Sequence, residues 1–257
     1  HLLQFLRAKK YNMNDAMQTF ERFYLARKRY PQFFPADSPN FKRAMEIFQT
    51  GYCYPLSERD DDGCRVIIIQ TKRLDIENFS VFDGMRLSMF VLGVIMEEEE
   101  TQISGIKMIY DHQDISSRHL MLPKDMMDFV DLVKTVSAGR QKGSYIVNLP
   151  SIAHFLLELV RNALTDKLKS RLFLFHNWDE LKQCKDINPK LLPLELGGIK
   201  SEADMMKDFE GIVHERWDIL EKTAYAANLD WTKVPTDKIK TNQHGEVIGS
   251  FRKLEID

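Results

Sequence analysis

Apolar residues along the chain change their period several times, and those changes divide it. Leu3, Leu6, Met13, Met17, Phe20 and Tyr24 recur near helical spacing, which predicts helices from His1 to about Tyr30 with Asn14 as a cap. Pro31, Pro35 and Pro39 then interrupt the pattern and mark a boundary. After the turn signal Asp60-Asp61-Asp62-Gly63, the run Arg65–Gln70 (RVIIIQ) is β-branched and bounded by polar residues, which predicts a strand. Ile106–Tyr110, Tyr145–Val147 and Leu172–Phe175 read the same way, with helical stretches between them. Strands alternating with helices imply an α/β fold, a mixed or parallel sheet with helices packed on it. From about Asn228 the chain is polar and irregular, and it is expected to lie as a tail over the domain. The predicted units are residues 1–40, 41–227 and 228–257.

Three predicted helices differ in character. Ser88–Met96 is apolar nearly all round, so it is expected to be buried on more than one side. Asp125–Val136 carries one stripe: Phe129, Val130, Val133 and Val136. Ile152–Lys169 places Ile152, Phe155, Leu156, Leu159 and Val160 on one side and then turns polar, with Arg161, Asp166, Lys167 and Lys169. Such stripes fit a packed core as well as they fit a cavity wall. The chain holds 12 methionines, and Met85, Met89, Met96, Met126 and Met127 would suit a wall that adapts to a flexible apolar ligand.

Charge is balanced overall, with 36 Lys+Arg against 38 Asp+Glu and a net charge of −2. No global positive field therefore recruits nucleic acid or an anionic surface, and any such contact must be a local patch. One candidate flanks the third helix: Arg140-Gln141-Lys142 before a strand, and Lys167, Lys169 and Arg171 behind it. Arg140 and Lys142 alternate, so both point to one side; Lys167 and Arg171 share a face if the helix runs that far. Either cluster alone reads as solvated surface, but two around one apolar helix point to an anionic surface. Each such residue contributes roughly 1 kcal/mol there, enough for a reversible association.

Catalytic signatures fail on inspection. There is no GxSxG elbow, no GxGxxG or GxxxxGK[ST] loop and no HExxH zinc helix, since His214-Glu215 lacks the second histidine. Glu97–Glu100 reads as a solvated helix end, and Asp111 closes a strand with no partner nucleophile in view. Three cysteines without a CxxC pair favour reduced thiols in a cytosolic setting. The longest apolar run, Met89–Met96, falls far short of the roughly 20 residues that span a bilayer.

Several motifs together resemble the CRAL-TRIO family of lipid-transfer proteins, and within it the α-tocopherol transfer protein and retinaldehyde-binding branch. Leu2–Tyr11 (LLQFLRAKKY) looks like the end of that family's N-terminal helical domain, implying that earlier helices precede it. Asp62-Gly63-Cys64-Arg65-Val66 resembles the entry to the first strand, and Glu100-Thr101-Gln102, Gly105-Ile106-Lys107 and Asp111 are similar to ETQxxGIKxxxD. Val147-Asn148-Leu149-Pro150 matches iNxP, and Leu192–Gly198 (LPLELGG) resembles LPxEYGG. The resemblance implies a helical N-domain, an α/β domain around an apolar cavity and a mobile lid. Onto this chain it carries Met85, Ser88, Leu92, Ile106, Phe129, Leu132, Val133, Leu156 and Leu159 as cavity residues and Ile152–Lys169 as the lid. It carries Arg140, Lys142, Lys167 and Arg171 as phosphoinositide contacts. Leu92 stands where the branch has a second pocket serine, Ser137-Ala138 replaces Tyr-Pro, Asp114 replaces a glycine and Leu196 a tyrosine.

The sequence thus predicts a monomeric cytosolic protein without catalytic residues, metal or cofactor. It would enclose one hydrophobic cargo, a retinoid, tocol or other isoprenoid-like lipid, and exchange it reversibly at phosphoinositide-containing membranes. A phospholipid or phosphatidylinositol exchanger and a non-transferring adaptor are the alternatives.

Overall fold

The alternation of helix and strand is realised in a computed structural model that describes residues 2–34, 38–136 and 140–218. Helices α1 (Leu2–Ala8) and α2 (Met13–Arg29) open the chain. Asn12, two residues before the expected Asn14, caps α2 by accepting the Asp15 backbone N–H at 3.2 Å. Helix α3 (Ser38–Phe48) leads to strands β1 (Cys53–Pro55) and β2 (Arg65–Gln70). Then come α4 (Val81–Ile95), α5 (Glu99–Ser104), β3 (Ile106–Asp111), α6 (Pro123–Val136) and β4 (Gln141–Val147). Helices α7 (His154–Ala163) and α8 (Asp166–Lys169), strand β5 (Leu172–Phe175) and helices α9 (Trp178–Lys182) and α10 (Glu202–Glu215) complete it. The expected tail from Asn228 lies outside the described residues.

The five strands form one mixed sheet in the order β1-β2-β3-β4-β5. Only β1 runs antiparallel, pairing with β2 as Cys53↔Ile69 to Pro55↔Ile67. The sequence reading missed it because three residues ending in a proline give no period; at a sheet edge that proline costs no ladder bond. Strands β2, β3, β4 and β5 are parallel, so successive rungs alternate between two faces. The rung Ile68–Ile109–Tyr145–Phe173 belongs to the main core, which also holds Trp178, Leu181 and Phe209 from α9 and α10. The rungs Met108–Ser144–Leu172 and Ile69–Tyr110–Ile146 face the other way, into the cavity described below.

One expectation is corrected by buried charge. Glu97–Glu100 is only in part a solvated helix end: Glu99 and Glu100 are exposed where α5 begins, but Glu98 is buried against Arg65, with bonds of 2.8 and 2.9 Å, and Arg59 at 2.6 Å. Burial pushes the Glu98 carboxyl up, but the bonds from Arg65 and Thr101 outweigh it and hold it below the usual carboxylate range. Asp111 is occupied too, accepting from Asn148 Nδ2 at 2.8 Å, Trp178 Nε1 at 3.0 Å and the Gln113 backbone N–H at 3.0 Å. It latches the strand ends together.

Asp114 has φ +53°, in the left-handed region that a glycine would take without strain and Asp tolerates. Gly105 admits no side chain. Its φ is +104°, and a Cβ there would lie 2.2 Å from the Arg140 carbonyl oxygen.

Candidate functional site

Between the second sheet face and the helices lies a cavity of about 410 Å³. Helix α4 gives it Met85, Ser88, Met89, Leu92 and Gly93, and α6 gives Met126, Phe129, Val130, Leu132 and Val133. Phe23 and Arg27 come from α2, and the sheet supplies Ile69, Ile106, Met108, Tyr110, Ser144 and Ile146. The volume falls in the range of small-molecule pockets, and the lining is mostly apolar with a few polar groups, as such pockets are. Gly93 has nothing within 4 Å of where a Cβ would stand, so this turn of α4 borders empty space.

Helix α7 roofs the cavity with Leu156, Leu157 and Val160, continued by Leu164 and Leu168. The expected apolar face is corrected here. Leu159 is half-buried but does not line the cavity, while Ile152 and Phe155 point to solvent, 52% and 68% exposed. The expected continuous helix is corrected as well, because it breaks at Leu164. Thr165 then caps α8 by accepting the Leu168 backbone N–H at 3.4 Å. Arg171 lies beyond α8, so it does not share a helical face with Lys167.

Arg140, Lys142 and Arg171 come together at the N-terminal edge of the sheet. The Arg171 guanidinium donates to the carbonyl of Gln141, which sits between Arg140 and Lys142 and so joins the two groups. Arg140 and Lys142 both pass beside Gly105, within 3.0 and 3.1 Å of its virtual Cβ. A bulge at Lys142, where pairing jumps from Ile106↔Gln141 to Lys107↔Gly143, opens this corner. Arg140 also donates to the carbonyls of Ile103 at 2.9 Å and Arg7 at 3.2 Å, tying α1 and α5 to β4. Lys142 and Lys167 are exposed.

Comparison with known proteins agrees with this geometry. Residues 41–198 match the CRAL/TRIO domain family. The chain belongs to the CRAL-TRIO family. It is 29% identical over 210 residues to clavesin-1 of Xenopus laevis, covering 79% of this chain and 62% of that one. Its identity to the human alpha-tocopherol transfer protein-like protein is 26% over 206 residues, covering 79% and 59%. The chain therefore spans about 60% of the length of these curated relatives. Among solved structures, Sfh5 superposes with a TM-score of 0.52 at 12% identity, covering 86% of this chain and 80% of that one, a likeness of fold.

Polar groups on the wall of this CRAL-TRIO cavity were largely missed by sequence reasoning, which named only Ser88. Tyr52, Thr71, Tyr110 and His112 also line it. Thr71 Oγ1 and His112 Nδ1 lie 2.9 Å apart, and the His112 ring stacks on Tyr110 with centroids 6.3 Å apart. Burial pushes the His112 pKa down to about 4 against the pull of Asp111, so the imidazole is neutral at physiological pH. Ser88 Oγ donates to the Gly84 carbonyl at 3.1 Å. Burial also raises the Tyr52 hydroxyl, while a hydrogen bond with Ser88 pulls the other way.

A legible signal existed for Thr71 and His112. They directly follow Gln70 and Asp111, which pair across β2 and β3, so they sit side by side past the strand ends where α/β proteins bind ligands. Arg27 stands on the wall with its guanidinium over the rings of Phe23 at 5.0 Å and Phe34 at 5.3 Å. Among the described residues, no cluster of His, Cys, Asp and Glu is suited to a metal ion, and no helix is long and apolar enough to cross a membrane.

Proposed function

We propose that this CRAL-TRIO protein encloses one hydrophobic lipid in the 410 Å³ cavity and exchanges it at phosphoinositide-containing membranes through movement of α7. The family binds and transfers lipids, and one relative carries tocopherol transfer in its name. The single observation that carries the reading is an apolar cavity closed by an amphipathic helix. Burying each CH₂ stabilises by about 0.8 kcal/mol, so a cargo of about 15 carbons gains more than ~10 kcal/mol and leaves into water very slowly. Escape needs another apolar path. With α7 swung against a bilayer, Leu156, Leu157 and Val160 would be covered by lipid while the cavity opens into it. Lys142 and Lys167, supported by Arg140 and Arg171, would hold an anionic head group at that corner. Such a group biases the open state only if it binds there more tightly than to the closed one. The protein would act as a monomer, soluble between encounters and peripheral at the membrane.

Native mass spectrometry of the protein purified from cells tests the reading. One isoprenoid-like lipid per chain is the expected mass increment. A phospholipid increment would make it an exchanger of that class, and protein that stays empty and takes up no added lipid would make it an adaptor.

A further inference from the structure

We propose that the C-terminal edge of the sheet carries a neutral hydrogen-bonding seat, built from Thr71, His112, Tyr52 and Ser88, that selects a cargo ending in one hydroxyl group. This rests on the reading of the cavity as a lipid site and adds the chemical class of the lipid. All four side chains line the cavity, and Thr71 and His112 are adjacent because β2 and β3 end in register at Gln70↔Asp111. The Thr71 Oγ1–His112 Nδ1 contact of 2.9 Å can run in either direction. If Thr71 donates, the couple is left with a ring N–H donor and a hydroxyl lone pair. If His112 donates, it is left with a ring nitrogen acceptor and a hydroxyl proton. Either way one donor and one acceptor remain, the complement of an alcohol, which is itself both.

No hydrogen-bond partner for the second ring nitrogen of His112 is found among the described residues. Tyr110, stacked on the same ring, spends its hydroxyl on the weak acceptor Met108 Sδ at 3.3 Å. Polar groups turned toward an apolar space cost stability until a partner arrives. A hydrocarbon offers them nothing. A carboxylate or phosphate offers acceptors only and brings a charge that no member of the seat neutralises, beside the carboxylate of Asp111. The arginines on the cavity wall lie elsewhere, Arg27 on α2 and Arg171 at the opposite, N-terminal edge of the sheet. From His112 back to Ile106 the wall runs six residues, roughly 20 Å of apolar sheet for the body of the lipid.

The test is binding of three C15 probes to delipidated protein at pH 7.4: farnesol, farnesene and farnesoic acid, read by displacement of a fluorescent apolar probe. Wild type is expected to bind farnesol more tightly than farnesoic acid. Thr71→Val with His112→Phe should weaken farnesol at least tenfold, 1.4 kcal/mol, and leave farnesene unchanged or tighter. Thr71→Val alone replaces one oxygen by a methyl group and serves if the double variant does not fold; it should lose about threefold on farnesol and nothing on farnesene. Equal losses on farnesol and farnesene, or farnesoic acid as the tightest ligand, would overturn the seat while leaving the lipid site standing. Binding of none of the three would overturn both.

Discussion

Tyr30 Oη donates to Asp131 Oδ2 at 2.5 Å and so clasps the end of α2 to α6. Both helices supply cavity wall, and Asp131 has a second partner in Arg29 at 3.5 Å. Tyr30 is buried and its hydroxyl is pushed well above its usual range by burial and by the Asp131 carboxylate, so it stays protonated and donates. Tyr30→Phe is expected to cost about 2 kcal/mol, a typical figure for a bond to a charged acceptor. Denaturant melts of the two proteins would show it as a lower midpoint at unchanged slope.

Gly93 offers a way to fill the cavity without disturbing its walls. Gly93→Ala should stabilise α4 by about 0.5–1 kcal/mol, because the site is helical and open. Gly93→Phe should fold as wild type does and bind lipid probes at least tenfold more weakly. A phenylalanine variant with full lipid capacity would show that the ligand lies elsewhere.

Phe155 separates a roof that touches membranes from one that only packs. It is 68% exposed, so Phe155→Ser should change stability by less than about 0.5 kcal/mol. Burial of a phenylalanine is worth about 1.5–3 kcal/mol, so vesicle partition and transfer rate should fall roughly tenfold or more. Unchanged transfer with unchanged melting would remove α7 from the docking surface.

Lys142 and Lys167 are exposed, and no hydrogen bond ties their ammonium groups to the fold among the described residues. Their joint replacement by alanine should remove about 2 kcal/mol of attraction to phosphoinositide vesicles, roughly thirty-fold in partition, with no effect on melting. Arg140→Ala should behave differently and lower the melting temperature, since it removes the bonds from Arg140 to the Ile103 and Arg7 carbonyls that tie α5 and α1 to β4. Sedimentation with vesicles at low salt distinguishes the two.

His112 makes stability depend on acidity. Its pKa is about 4 in the fold and near 6.5 in the unfolded chain, so between those values the unfolded chain binds the extra proton. Its contribution is complete above pH 6.5 and declines toward pH 4, by at most about 3 kcal/mol. His112→Phe should therefore lose less stability than wild type between pH 7 and pH 4.5, measured by urea titration at each pH.

Much of this architecture was legible because it is periodic. The RVIIIQ run became β2 at the predicted residues, and LFLF became β5. What escaped was governed by neighbours distant in sequence. Strand β1 exists because β2 offers it an edge. Glu98 is buried because Arg65 and Arg59 converge on it from the β1–β2 segment. Leu157 lines the cavity in place of Leu159 because the two flank Leu156 and Val160 on opposite sides, so a modest rotation of the helix about its axis decides which faces inward, and no period fixes the phase of a short helix. Cavity residues on α4 and α6 came from resemblance, whereas Tyr52, Thr71 and His112 needed the register of the sheet.

The break at Leu164–Thr165 has a mechanical meaning. Should α7 be the moving part, the chain can pivot there while α8, Lys167 and the Arg171–Gln141 link remain fixed to the sheet. The protein would then stay moored to a head group throughout the opening stroke, with the gap facing the bilayer that holds it.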